Sequence, residues 1–375
     1  MGKWRQSSIL AELRNEITGG TFLPGARLPT LDAMQARFQV SRHTVQGAMR
    51  QLARDGFVCA RRALGSHVSQ TPPHLYHYGL VSAERFSDSR YTGAMQRVAA
   101  ELTEDGPIRF STYWYDRGHI QSEGYRRLMA DVEARRLAGL IFVWPPFRLD
   151  GTPALEQKGL PRVMTSAPGG YPDIPRLTFD HAAFLAQAVA YLRRQGRKRI
   201  ALIAPYLQAK DMAVDLAYLV RRRVGRPEWV QACDSRHPWS ACQAARLLMA
   251  LPAKERPDGL IVGDDHLVEA AAEGLAAVGV RIPQDLAVVA HCNFPDRPPA
   301  CVPVTWLGLD CRSLVQRCVE NLTAQRQGRK VPQITVLPPV FEADRQIGPF
   351  PAEAFGLSWN DRTGARLVRR ALSRA

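Results

Sequence analysis

Residues 13–58 read LRNEITGGTFLPGARLPTLDAMQARFQVSRHTVQGAMRQLARDGFV. Three helical patterns follow one another here at short intervals. With the residues just upstream, Ile9, Leu10, Leu13 and Ile17 share one face at helical spacing, so Ser7 to Gly19 forms an amphipathic helix that stops at Gly19-Gly20. Pro24-Gly25 makes a turn, and Thr30 stands where an N-cap is wanted for a second helix, LDAMQARF. Val40-Ser41 ends it. Ser41 then caps a third helix, RHTVQGAMRQLARDG, closed by Gly56, in which Val45, Ala48, Met49 and Leu52 form the buried stripe while Arg42, His43, Gln46 and Arg50 face solvent.

Two short β-type runs follow, Phe57 to Arg61 and Ser66 to Ser69, joined through Arg62, Ala63, Leu64 and Gly65. They make a small hairpin with basic residues at its tip. A helix, a tight helix-turn-helix and a basic wing are the winged-helix plan, which sets the first turn of the third helix against base edges. The formal charge of +15 fits a polyanionic partner, because cationic surfaces displace counterions from nucleic acid.

This stretch closely resembles the GntR-type winged helix over roughly residues 7–69, whose pattern runs LR-x-x-I-x-x-G, PG-x-x-LPS, then VSR-x-TV-x-x-A-x-x-x-L-x-x-x-G. The resemblance implies that Ser41, Arg42, His43 and Thr44 form the DNA-contacting start of the recognition helix and that Thr30 meets a phosphate. Three positions depart from the pattern: Asp32 replaces a basic residue, Gln46 an Arg, and Ala63 the first wing Gly. The DNA-binding set is therefore Thr30, Ser41, Arg42, His43, Thr44 and Gln46 on the helices, with Arg61 and Arg62 on the wing. Arg42 is expected to read base edges, a guanine in particular, and Thr30, Arg61 and Arg62 to hold phosphates.

Downstream, SQTPPHLYH is Pro-containing and too polar for a core, which places a linker at 71–77. Beyond it strands alternate with helices: YHYGLVS, a helix from Tyr91, IRFSTYWY, a helix from Tyr125, LAGLIFVW and PRVMTSA. The alternation then starts again, with the helix AAFLAQAVAYLRRQG burying Leu185, Ala188, Val189 and Leu192, followed by the strand RIALIAP. Next come DGLIVGDD, a helix with Val268, Ala271, Ala272 and Leu275 inward, and DLAVVAH. The fold class expected is α/β, an N-terminal winged helix-turn-helix plus a two-lobed module with parallel sheets, which the resemblance of the segments below implies is periplasmic-binding-protein-like.

Residues 76–345 resemble the effector domain of the LacI family. The carrying segments are RLTFDHAAFLAQAVAYLRRQGRKRIALI, RPDGLIVGDDHLVEAAAEGLAAVGVRIPQDLAVVAH, and VTWLGLDCRSLVQRCVENLTAQRQG followed by ITVLPPVFEADRQI. The resemblance implies three passages between lobes, expected near Thr178, Val304 and Lys330. The domains expected are a winged helix over 1–70, lobes of 78–178 with 304–330 and 179–303 with 331–345, and a basic tail over 346–375.

Ligands of open α/β sheets sit at the carboxyl ends of the strands. That rule selects Arg85, Phe86, Asp88, Tyr115, Trp144, Tyr206, Asp264, Asp265, His291 and Asn293 as effector contacts. Tyr115 and Trp144 can equally cap their sheets, and Asp265 can cap the next helix. Asp264 matches the Asn of the family's ligand-facing Asn-Asp pair. The family's Arg falls on Lys210 or Asp211, and the first Asp of its double Asp on Cys292, leaving Asn293.

Seven scattered cysteines, with no C-x-x-C pair and no His at zinc spacing, read as reduced thiols and give no metal site. MGKWRQSS has no secretory h-region, no apolar run approaches a membrane span, and a cytoplasmic location is expected. The P-loop, H-E-x-x-H and G-x-S-x-G patterns are absent, so neither catalytic residues nor cofactors are assigned. The function expected is a DNA-binding transcriptional regulator, read as a repressor. It would act as a homodimer on a double-stranded, pseudo-palindromic operator, under control of a small-molecule effector such as a sugar. The rivals are a ligand-independent repressor with a vestigial pocket and an enzyme carrying a DNA-binding appendage.

Overall fold

The computed structural model describes residues 5–61, 64–116, 122–165, 171–205 and 209–345. The basic tail over 346–375 lies outside them. The winged helix contains α1 (Gln6–Thr18), α2 (Leu31–Phe38), α3 (Arg42–Arg54) and the antiparallel pair β1 (Val58–Arg61) and β2 (Gly65–Val68). Its core is the sequence stripe closed on itself: Ile9, Leu13 and Ile17 of α1 meet Val45, Ala48 and Leu52 of α3, with Phe57 and Val68 sealing the base. Both caps form. Thr30 Oγ1 accepts from Ala33 N at 3.2 Å, and Ser41 Oγ from Thr44 N at 3.3 Å.

The segment after the wing is not extended. Pro73–Tyr76 forms one helical turn, α4, and leads directly into the first large sheet. That sheet holds β3 (His77–Ser82), β4 (Arg109–Trp114), β5 (Gly139–Phe142), β6 (Arg162–Met164), β7 (Arg176–Phe179) and β13 (Ile334–Leu337), in the order β13-β7-β6-β5-β3-β4, all parallel. Helices α5 (Arg90–Asp105) and α12 (Cys311–Arg326) cover one face; α6 (Glu123–Glu133) and α7 (Pro153–Glu156) cover the other.

The second sheet holds β8 (Ile200–Pro205), β9 (Val230–Cys233), β10 (Gly259–Val262), β11 (Ala287–Phe294), β12 (Thr305–Asp310) and β14 (Val340–Phe341), in the order β14-β12-β11-β10-β8-β9. Only β14 runs antiparallel, against β12. Helices α8 (His181–Arg194) and α9 (Ala209–Arg221) pack on one face, α10 (Trp239–Ala250) and α11 (Asp265–Ala277) on the other. Gly274 brings α11 against the Cys242 backbone of α10, leaving no room for a Cβ.

The passages between lobes differ from expectation at two of three places. The first follows β7, beside Thr178. The second comes after Asp310, not near Val304, because β12 hydrogen-bonds to β11 and stays in the second sheet. The third lies between Leu337 and Val340, not near Lys330, because β13 pairs with β7 in the first sheet. Helix α12 instead crosses over. Its Cys311, Leu314, Val315, Cys318, Val319 and Leu322 lie in the first lobe's core.

Candidate nucleic-acid interface and effector cleft

The amino end of α3 is held by its cap and by a 2.9 Å contact between the Ser41 and Thr44 hydroxyls. Arg42 and His43 project beyond it, exposed, whereas Thr44 and Gln46 are half-buried, so Gln46 presents less of itself than its helical position suggested. Arg42 Nη1 lies 3.3 Å from Asp32 Oδ1, and the two side chains are 60% and 79% exposed. Such a pair contributes under about 1 kcal/mol, so Arg42 can exchange it for a base edge. Thr30 is exposed at the start of α2 beside it. Arg61 closes the wing ladder opposite Gly65, and Arg62 lies outside the described residues. Arg27 was missed. Its backbone bridges His67 and its guanidinium lies beside Gly65, adding an exposed cation along the wing that only the folded hairpin reveals.

In each large sheet the strand order reverses beside the first strand of the lobe, at β3 and at β8, and the crevice opens outside the carboxyl ends there. A cleft of about 740 Å³ lies between the lobes. Phe86, Asp88, Arg90 and Arg97 line it from the first lobe, and His266, Asp296 and Arg297 from the second. Ion pairs cross it: Arg97 Nε reaches Asp296 Oδ1 at 2.7 Å and Arg90 Nη2 reaches Glu269 Oε2 at 3.5 Å.

Of the predicted effector residues, Phe86 and Asp88 line this cleft, and Arg85 beside them lays its guanidinium 4.8 Å from the Trp114 ring centroid. Tyr115 does not open onto it. It is 1% exposed in the core on the α6 face, and its hydroxyl donates to the Phe147 carbonyl at 2.9 Å. Trp144 is half-buried, edge-on to Tyr91 at 5.6 Å, with an indole N–H that meets no protein acceptor. Tyr91 in turn donates to the Thr165 hydroxyl at 2.6 Å. Tyr206 lies outside the described residues, as do the side chains of Lys210 and Asp211.

Asp264, Asp265, His291 and Asn293 are brought together at the ends of β10 and β11. Asp264, not Asp265, caps α11, accepting from His266 N at 2.8 Å. Asp265 points inward at 2% exposure and accepts from Asn293 Nδ2 at 2.8 Å. His266, unselected by the sequence reading although it follows the acidic pair, places Nδ1 3.0 Å from Asp264 and 3.1 Å from Asp265. Hydrogen bonds to Asp264, then Asp265, push its pKa up to about 10, so the ring is cationic at neutral pH. Burial opposes the charge on Asp265, but hydrogen bonding to His266, the field of His291 and the Asn293 contact outweigh it and hold the carboxyl low. His291 goes the other way. Burial lowers its pKa, its ring packs edge-on against Phe179 at 5.3 Å, and its Nδ1 meets no partner.

The three potential ligand atoms of Asp264, Asp265 and His266 lie within 4.8 Å of one another. The His266 proton already joins both carboxylates, so the trio is complete as an ion-pair triad. What the cleft itself presents to a bound molecule is the apolar face of Phe86, the carboxylates of Asp88 and Asp296, and the cationic Arg90, Arg97, Arg297 and His266, whereas the buried Trp144 N–H and His291 Nδ1 lie outside its lining. That mixture of one aromatic face with several charged groups suits a small polar molecule.

Residues 5–68 match the family described as bacterial regulatory proteins, gntR family, and residues 189–345 match the periplasmic binding protein-like domain. The chain joins a GntR-type helix-turn-helix to a periplasmic-binding-protein-like domain. The arabinose metabolism transcriptional repressor of Geobacillus stearothermophilus is 21% identical over 352 residues, covering 84% of this chain and 92% of the relative. The lactose operon repressor of Escherichia coli K12 is 25% identical over 227 residues, 58% of this chain and 60% of that protein. Among solved structures, the Lac repressor bound to ONPG in the repressed state superposes with a TM-score of 0.53 at 20% identity, covering 82% of this chain and 93% of that one. That likeness establishes a shared fold for the module behind the GntR-type helix-turn-helix. Among the described residues no helix is long and apolar enough to cross a membrane.

Proposed function

We propose that the protein is a sequence-specific transcriptional regulator, a repressor, that binds duplex operator DNA as a homodimer and whose affinity is set by a small molecule held between the lobes. The observation that carries this reading is the capped amino end of α3, which presents Arg42 and His43 to solvent on a rigid, fully packed winged helix. The DNA-contacting set is Thr30, Ser41, Arg42, His43, Thr44 and Gln46, with Arg61 and Arg62 of the wing. One recognition helix spans too few base pairs for genomic specificity, so paired half-sites are needed. Both named relatives are repressors, one of arabinose metabolism and one of the lactose operon, which supports a sugar as the effector class.

The domains run 1–70 for the winged helix, 71–77 for the connection and 78–345 for the effector module. The protein acts in the cytoplasm and is not an enzyme. A second reading, a repressor that needs no ligand, is favoured by the Arg90–Glu269 and Arg97–Asp296 pairs that already bridge the cleft. Thermal-shift titration with arabinose, lactose and nucleosides, repeated in the presence of operator, separates the two. A ligand that raises the melting temperature and changes operator affinity supports the effector reading, and silence across all of them supports the second.

A further inference from the structure

Asp55 stands at the carboxyl end of α3, where the negative end of the helix dipole disfavours a carboxylate. Its side chain is only 3% exposed. The placement is tolerable because two guanidinium groups and an amide donate to it. Arg14 Nη2 donates to Oδ2 at 2.6 Å, Gln51 Nε2 to Oδ1 at 2.9 Å, and Arg136 Nη1 to Oδ1 at 3.0 Å. The first two donors belong to the winged helix. The third belongs to the first lobe.

Arg136 is held from its own side as well. Its Nη2 lies 2.5 Å from Asp131 Oδ1, and Asp131 accepts from the Tyr113 hydroxyl on β4 at 2.5 Å. Just before it, Arg135 takes a left-handed conformation (φ 51°), and Arg136 N donates to Asp131 O at 2.9 Å, ending α6 sharply. Arg135 itself reaches Thr18 Oγ1 at the end of α1, 3.3 Å away. One guanidinium therefore joins the base of the recognition helix to Asp131 of α6, and through that carboxylate to Tyr113 on β4.

We propose that Arg136 is a positioning residue for DNA recognition: by gripping Asp55 it fixes the angle of the winged helix to the first lobe, and so the separation at which two recognition helices of a dimer meet their half-sites. This rests on the dimeric-operator reading above. A guanidinium held in two arms adds a second, charged point of attachment to the single helical turn, α4, through which the chain itself passes between the two units.

The test uses the full-length chain and an operator selected from random duplex DNA by the unmodified protein. Binding is measured to that operator, to versions with the spacer changed by one and two base pairs, and to a single half-site. Two base pairs rotate one half-site by roughly 70° and shift it along the axis, so a rigid dimer should lose at least about tenfold in affinity. Arg136→Gln leaves the Arg14–Asp55 pair intact. It is expected to bind the single half-site within about twofold of the unmodified chain while losing less than about threefold on the altered spacers. Arg136→Lys, which keeps the charge without two arms, should fall between. Matching spacer profiles for the two chains overturn the proposal, as does loss of half-site binding, which would make Arg136 a residue of the fold. An unmodified chain indifferent to spacing overturns it together with the dimeric reading.

Discussion

Replacing Arg42 with Ala should abolish operator preference while leaving non-specific DNA binding nearly intact. The magnitude follows from what the guanidinium gives up and gains. In the free protein it holds only Asp32, at 3.3 Å with both side chains mostly exposed, a contact contributing no more than about 1 kcal/mol. On a base edge, a bidentate contact discriminates by about 1–3 kcal/mol, once per half-site. The dimer therefore loses about 2–6 kcal/mol on the specific site, roughly 30-fold to 10⁴-fold in Kd. Asp32→Ala moves the other way, since it releases Arg42 and removes a negative charge from the DNA face; tightening of up to about fivefold per half-site is expected. Fluorescence anisotropy at fixed salt, on a selected operator and on a scrambled duplex, reads both effects. If Arg42→Ala leaves the ratio of specific to non-specific affinity within about twofold, α3 is not the reading helix and the assignment fails.

Three further outcomes concern stability. Gly274→Ala would force α10 and α11 apart at the Cys242 backbone and should cost about 1–3 kcal/mol or more in chemical denaturation; an unchanged midpoint would mean that this close approach is not maintained. His266, with its pKa raised from 6.5 to about 10, contributes stability that is complete below 6.5 and lost as pH rises through 10. The gap in melting temperature between the parent and His266→Gln should accordingly narrow across that window, and a constant gap would refute the triad. His74 stacks on Phe57 at 5.8 Å, and burial, with help from Arg326, lowers its pKa to about 4. Stability should therefore drain away as pH falls from 6.5 towards 4, and His74→Phe should flatten that limb; equal acid sensitivity in parent and variant would contradict it.

Local chemistry made much of the fold legible. The α3 stripe of Val45, Ala48, Met49 and Leu52 is buried as its spacing required, and Thr30 and Ser41 cap where hydroxyls precede apolar periodicity. The β-type runs correctly announced two parallel sheets. They carried no sign of which sheet each joins, so β12 and β13 fall in the lobes opposite to those expected: VTWLGL is apolar enough to lie in either core. Helix α10 escaped notice because Trp239 and Leu247 are 66% and 68% exposed, which blurs its apolar stripe.

The cleft was less readable than the DNA face for a physical reason. Arg42 and Thr30 act from one contiguous segment, whereas the cleft pairs Arg97 with Asp296 and Arg90 with Glu269 across nearly two hundred residues. The strand-end rule selected Tyr115 because it follows β4, yet alternation along the strand turns it into the α6-side core. It passed over His266 because a residue one step into a helix looks like surface until the acidic pair beneath it is seen.

The central claim, that this chain reads a two-fold operator through the first turn of α3, is met most directly by selecting random duplex DNA with the full-length protein in parallel with Arg42→Ala. The account predicts one half-site recovered twice in inverted orientation by the unmodified chain, and no enriched motif with the variant. Failure of the unmodified chain to enrich any sequence, or recovery of the same motif by both, would contradict it.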